Sequence, residues 1–157
     1  MNSVRLQLSH CDYLKWEVKK RSKSSLVEDI DRKDGYTSDV LVVFVAAEGV
    51  DQKNPESVVE ETVESIVDVS EKIGAGRIVL FPFVHLFPES LPPAEFAYNC
   101  LLKISDGLKK KGLEAERVPF GWYKMHELRC KGHPLSQLSR TIRVGQDELN
   151  KVMEAKG

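Results

Sequence analysis

No stretch of this 157-residue sequence stays apolar for the ~20 residues that a membrane-spanning helix needs. The opening Met1-Asn2-Ser3-Val4-Arg5 also lacks the apolar core of a signal peptide, so the cytoplasm is the expected compartment. Cysteine is scarce: Cys11, Cys100 and Cys130 are odd in number and far apart, which gives no disulfide framework. Ordinary amounts of proline and glycine, and no internal repeat, exclude a low-complexity chain. Neither sign of charge dominates. With 23 basic against 24 acidic residues the net charge is −1, which excludes a protein that grips nucleic acid by bulk positive charge. Local basic clusters (Lys19 to Lys23, Lys109 to Lys111, and Lys131 with Arg140 and Arg143) can follow an RNA backbone or be plain solvated surface.

What is present reads as one globular α/β domain. A hydrophobic content of 41% beside 30% charged residues suits a soluble chain long enough to bury a core. Val4 to Leu8 alternates as a strand with one buried face, and Tyr13 to Val18 reads as a second strand. Residues 19–39 are polar and read as an exposed loop or ribbon end. Val40 to Ala47 is a continuous β-branched run, the pattern of a central strand covered on both faces. Asn54-Pro55 opens a helix with the stripe Val59, Val63, Ile66, Val67, Ser70 and Ile73, and Gly74 and Gly76 end it. Arg77 to Phe83 is another central strand, giving a β-α-β unit. Pro92-Pro93 opens a second helix, striped by Ala97, Leu101, Ile104 and Leu108 and stopped at Gly112. Glu114 to Pro119 and Trp122 to Cys130 are strand candidates flanking a turn at Gly121. The expected class is α/β, with a mixed, partly barrel-like sheet and two main amphipathic helices. The charged tail over 144–157 reads as a short helix or a linker to a further domain.

Three places carry candidate chemistry. His85 follows a strand end, where open α/β sheets place ligands, and its imidazole either serves a substrate or bonds loop backbone. Phe120, Trp122 and Tyr123 surround Gly121 and precede Lys124. This is either a hairpin with an aromatic core face or a surface where rings stack a base and a cation meets an ester oxygen. Cys130-Lys131-Gly132-His133 has half of a zinc-ligand spacing, with His10-Cys11 as a distant complement. With no second closely spaced pair, the segment reads more simply as a turn.

An ordered set of segments resembles the N-terminal editing domain of archaeal threonyl-tRNA synthetases. It comprises Ser9-His10-Cys11-Asp12-Tyr13, Asp51-Gln52-Lys53-Asn54-Pro55-Glu56, Pro82-Phe83-Val84-His85-Leu86, Pro119-Phe120-Gly121-Trp122-Tyr123-Lys124, and the stretch from Cys130 to Ile142. Together they span nearly all of residues 1–143, the expected domain.

The resemblance implies a fold shared with D-aminoacyl-tRNA deacylases, a homodimer, and hydrolysis of serine from tRNA(Thr). It calls for no metal or other cofactor, and implies synthetase domains as partners in cis or in trans. It assigns pocket backbone to Ala46, Ala47, Glu48, Pro82, Phe83, Val84 and Phe120. It places functional side chains at His85, Tyr123 and Lys124, with the 2′-hydroxyl of the terminal ribose helping to activate water. One position departs. Where the family carries a glutamate this sequence has Gln137, which cannot take a proton as a base or carry charge as the ion partner of Lys124; as a fourth candidate catalytic-site residue it is expected to position RNA or water, with activity reduced but present. The rival expectations are a D-aminoacyl-tRNA deacylase and a non-catalytic tRNA-binding or dimerising module.

Overall fold

A computed structural model describes residues 3–47, 55–83 and 92–143. Its elements run β1 (Ser3–Arg21), β2 (Asp34–Ala47), α1 (Pro55–Ile73), β3 (Arg77–Pro82), α2 (Ala94–Lys110), β4 (Glu114–Arg117), β5 (Trp122–Cys130) and β6 (Gln137–Arg143). The six strands form one mixed sheet in the order β4-β3-β2-β1-β5, with β6 also paired to β1. β2, β3 and β4 are parallel, joined through α1 and α2, whereas β1 pairs antiparallel with β2, β5 and β6.

The two apolar runs near the start belong to one 19-residue strand, not two. Its pairing with β2 skips Asp12 and Asp39, and Asp39 adopts a left-handed backbone with φ 46°. Acidic and amide side chains tolerate that region better than most. The register with β5 slips at the same point, between Cys11 and Leu14. The kink flips the pleat: Val4, Leu6 and Leu8 pack under the helices, while Cys11 and Leu14 join the cluster on the other face. It also shares one edge of β1 between two partners, β6 along Ser3 to Ser9 and β5 from Cys11 onward. The sheet therefore curls without closing.

β2 is covered on both faces, as its unbroken apolar run requires. Leu41, Val43 and Val45 meet the helix side, and Val40, Val42 and Phe44 the other. The polar stretch 19–39 is only in part a loop, since β2 starts at Asp34. The buried stripe of α1 is turned from the purely apolar one. Val58, Thr62, Ser65 and Val69 are buried, whereas Val59 and Val67 are half-buried. Small hydroxyls are admitted because they find partners: Thr62 Oγ1 donates to Val58 O (2.7 Å) and Ser65 accepts from Arg140 of β6 (3.2 Å). The α2 stripe Leu101, Ile104 and Leu108 is buried as its spacing predicts. Gly74 (φ 72°) and Gly112 (φ 88°) end the helices. β4 and β5 do not pair with each other, because they lie at opposite edges of the sheet. Among the described residues, no helix is long and apolar enough to cross a membrane.

Leu80 of β3 is fully buried beneath both helices. Its replacement by alanine is expected to cost about 2–5 kcal/mol, read as a lower urea midpoint with an unchanged slope.

Candidate active site

The carboxyl ends of β2 and β3 open onto a cavity of about 470 Å³, the place where parallel sheets expose unpaired strand ends to a ligand. Ala46 and Ala47 finish β2 on one side, and Pro82 and Phe83 follow from β3. Ala94, Ala97 and Leu101 of α2 form a second wall, and the segment from Phe120 to Lys124 forms the third. The floor is hydrophobic core: Val4, Val45, Phe81 and Ile104.

The third wall turns through Gly121, whose φ of 83° disfavours a side chain. A Cβ there would also lie 2.5 Å from the carbonyl oxygen of Leu26. The glycine is thus required twice, by its backbone angle and by the close approach of residues 26–27. Immediately beyond, Lys124 turns inward. Its Nζ donates to the carbonyls of Pro119 (2.9 Å) and Trp122 (2.8 Å) and stands 5.4 Å from the centre of the Phe81 ring. Burial pushes its pKa down to about 8, against the opposing pull of the Glu28 carboxylate. His126, two residues along the strand, shares the cavity and packs its ring against Phe81 (4.9 Å between centroids). Burial, and then the Lys124 charge, hold its pKa below the usual histidine range.

Of the residues singled out from sequence, the cavity collects Ala46, Ala47, Pro82, Phe83, Phe120, Tyr123 and Lys124. Phe120 is buried, and its N–H and carbonyl are both engaged by Glu28. Tyr123 is half-exposed at the mouth, with Lys20 Nζ 5.6 Å from its ring centre. Gln137 does not line the cavity; it stands exposed at the start of β6, opposite Ser9 of β1. Glu48, Val84 and His85 lie outside the described residues.

Cys130 and His133 serve the corner between β5 and β6. His133 Nε2 lies 2.7 Å from His10 Nδ1, and Cys130 Sγ approaches Ser136 O at 3.5 Å. Cys11, opposite Cys130 in register, is buried and its thiol is pushed up to about 12, so it stays protonated.

Two residues escaped the sequence reading. His126 was findable, since an inward Lys124 on a strand turns position 126 the same way. Glu28 gave no signal, being one acid among several in a polar stretch.

Residues 4–142 match the model of the archaea-specific editing domain of threonyl-tRNA synthetase. The chain is 44% identical over 156 residues to a threonine–tRNA ligase of Thermococcus kodakarensis, covering 96% of this chain and 25% of that protein. It is 39% identical to the enzyme of Pyrococcus furiosus, covering 97% and 24%. For Methanopyrus kandleri the identity is 41%, covering 88% and 22%. The chain therefore spans about a quarter of the length of these relatives. A solved structure described as "a probable eukaryotic D-amino acid tRNA deacylase" superposes with a TM-score of 0.65 at 11% identity, over 89% of this chain and all of that one. That likeness establishes the fold.

Lys124 should titrate with a midpoint of about 8, where solvated lysines titrate near 10.4. NMR of the lysine side chains across pH 6–11 reads this directly, and a midpoint above 10 for Lys124 would contradict a buried ammonium.

Proposed function

Because the chain belongs to the archaea-specific editing-domain family of threonyl-tRNA synthetase, we propose that it proofreads tRNA(Thr) by hydrolysing the ester that joins serine to its 3′ end. The observation that carries this reading is the Lys124 ammonium, held by two carbonyls beside an apolar cavity at the strand ends. Serine keeps the hydroxyl of threonine and lacks one methyl, so a synthetic site rejects it by only about 1–3 kcal/mol, and a second site must remove the errors.

In the reaction, water adds to the ester carbonyl carbon, and the carbonyl oxygen takes up negative charge. Collapse breaks the bond to the ribose oxygen, which receives the proton, leaving serine and tRNA with a free terminal hydroxyl. An ammonium has three N–H groups. With Pro119 and Trp122 accepting two, the third is available to the developing oxyanion, where a prepositioned charge in an apolar surround counts for most. The 2′-hydroxyl of the terminal ribose assists the water. Ala46, Ala47, Pro82 and Phe83, with the neighbouring Glu48 and Val84, frame the aminoacyl group. Tyr123 and His85 position the terminal adenosine and ester, and Phe120 supplies wall rather than hydrogen bonds. Gln137, outside the cavity lining, is assigned to RNA contact. A homodimer, a linker role for 144–157, and synthetase domains in cis or in trans complete the reading. Its place of action is the cytoplasm, where tRNA is charged.

A D-aminoacyl-tRNA deacylase is the second reading, favoured by the shared fold. Deacylation time courses on seryl-tRNA(Thr), threonyl-tRNA(Thr) and a D-aminoacyl-tRNA separate the two. Serine should be released about tenfold or more faster than threonine, and equal release of both, or of neither, defeats the proposal. Lys124→Met should lower kcat by about 10²–10³ with the fold intact by circular dichroism. Binding without hydrolysis in the unaltered protein would instead identify a non-catalytic module. Gln137→Ala should raise KM and spare kcat; if both stay unchanged, the residue leaves the site.

A further inference from the structure

Glu28 lies on the connection between β1 and β2, yet its side chain is 18% exposed and fully engaged. Arg117, at the end of β4, donates to it through Nη1 (3.1 Å) and Nη2 (2.9 Å), and the Phe120 N–H donates to Oε1 (3.0 Å). The Tyr98 hydroxyl of α2 adds a longer contact of 3.4 Å. The backbone of Glu28 is used as well: its N–H donates to Phe120 O (3.0 Å), and its carbonyl accepts from Trp122 Nε1 (2.8 Å). One residue thus clamps Phe120 and Trp122, on either side of Gly121. A second tie close by, Ser22 N–H to Gly121 O at 2.9 Å, holds the same turn from the end of β1.

That turn also supplies the carbonyls of Pro119 and Trp122 that hold the Lys124 ammonium. A surface connection with no role at the site has no need to draw a carboxylate into a partly buried pair, an arrangement whose desolvation cost cancels much of its attraction. We propose that Glu28 is the positioning residue for Lys124: it fixes the Pro119–Trp122 turn so that two carbonyls converge on one ammonium, and its carboxylate favours the charged form of that ammonium.

The electrostatics agree with the geometry. Burial raises the Glu28 pKa, but Arg117 and the Phe120 N–H outweigh it and keep the carboxyl below its usual range. Glu28 is therefore anionic at neutral pH, and its field raises the pKa of Lys124 against burial. Among the described residues, the other charged or titratable groups around this centre include His126 and Tyr123 on β5, Lys20 and Arg21 on β1 over Tyr123 and Trp122, and Arg117 and Tyr98 against Glu28. The sign follows. An oxyanion-stabilising Lys124 must be protonated, so activity falls as pH rises through its pKa, and loss of the Glu28 charge moves that fall to lower pH.

The proposal rests on the reading of Lys124 as the reacting cation, and its test separates the two. Seryl-tRNA(Thr) hydrolysis is measured against pH, corrected for spontaneous hydrolysis, in the unaltered protein, Glu28→Gln, Arg117→Met, and Asp31→Asn as an exposed charge control on the same connection. The Lys124 NMR titration is recorded alongside. Glu28→Gln should lower kcat about tenfold or more with little change in KM. It should also move both the alkaline limb and the NMR midpoint about half a pH unit or more downward. Arg117→Met removes a cation beside Glu28 and should move both upward. Asp31→Asn should leave them in place. A merely structural clamp predicts the opposite pattern: both Glu28 and Arg117 variants would lose stability alike, with limb and midpoint unmoved, and this would overturn the proposal. The NMR midpoint reads Glu28 even in a variant too weak to assay. If Lys124→Met hydrolyses normally the functional reading fails, whereas a dead Lys124→Met beside an unshifted Glu28→Gln rejects Glu28 alone.

Discussion

A lysine ammonium drawn out of water must find oxygen atoms, and Lys124 finds them in the peptide carbonyls of Pro119 and Trp122. Much of the architecture around the cavity follows from that need. Two carbonyls three residues apart converge on one point only if the chain doubles back, which calls for the left-handed Gly121. A turn with no side chain at its apex admits a neighbouring backbone, and residues 26–27 take that space. Glu28, the next residue, then reaches Phe120 and Arg117. The turn itself carries the chain from β4 at one edge of the sheet to β5 at the other, past the ends of β2 and β3. The connection that topology demands is the one that walls the site.

Period and punctuation made much of the fold legible. The central strand, the two helices and their glycine stops follow from side-chain alternation and from residues that favour positive φ. What the pattern hid was hidden for physical reasons. The kink at Asp12 and Asp39 swaps faces without breaking β1, so a strand that changes sides looks like two strands. The α1 stripe includes Thr62 and Ser65, whose burial depends on partners elsewhere in the fold. The wall from Phe120 to Lys124 could be found because aromatic rings, glycine and a cation are close in sequence. Glu28 is some ninety residues from the turn it clamps, and no local pattern records such a pairing.

Family membership sharpens one contrast. The resemblance raised a charged partner for Lys124 at the position that is glutamine here, yet Gln137 is exposed on β6 and, among the described residues, the carboxylate whose field acts on Lys124 is Glu28. The cation itself is poised rather than permanent. With a pKa near 8 it is charged at neutral pH, but by a narrower margin than a solvated lysine.

The cavity floor is made of Val4, Val45, Phe81 and Ile104, side chains that also hold the sheet to its coverings. Cavity and core therefore share the same atoms, and selection cannot reshape the floor without testing the stability of the whole domain. Lineages that retune such a site are confined to its rim, meaning the strand ends, the turn and the residues beside them. The floor should drift more slowly than the surface around it, even where it touches no ligand.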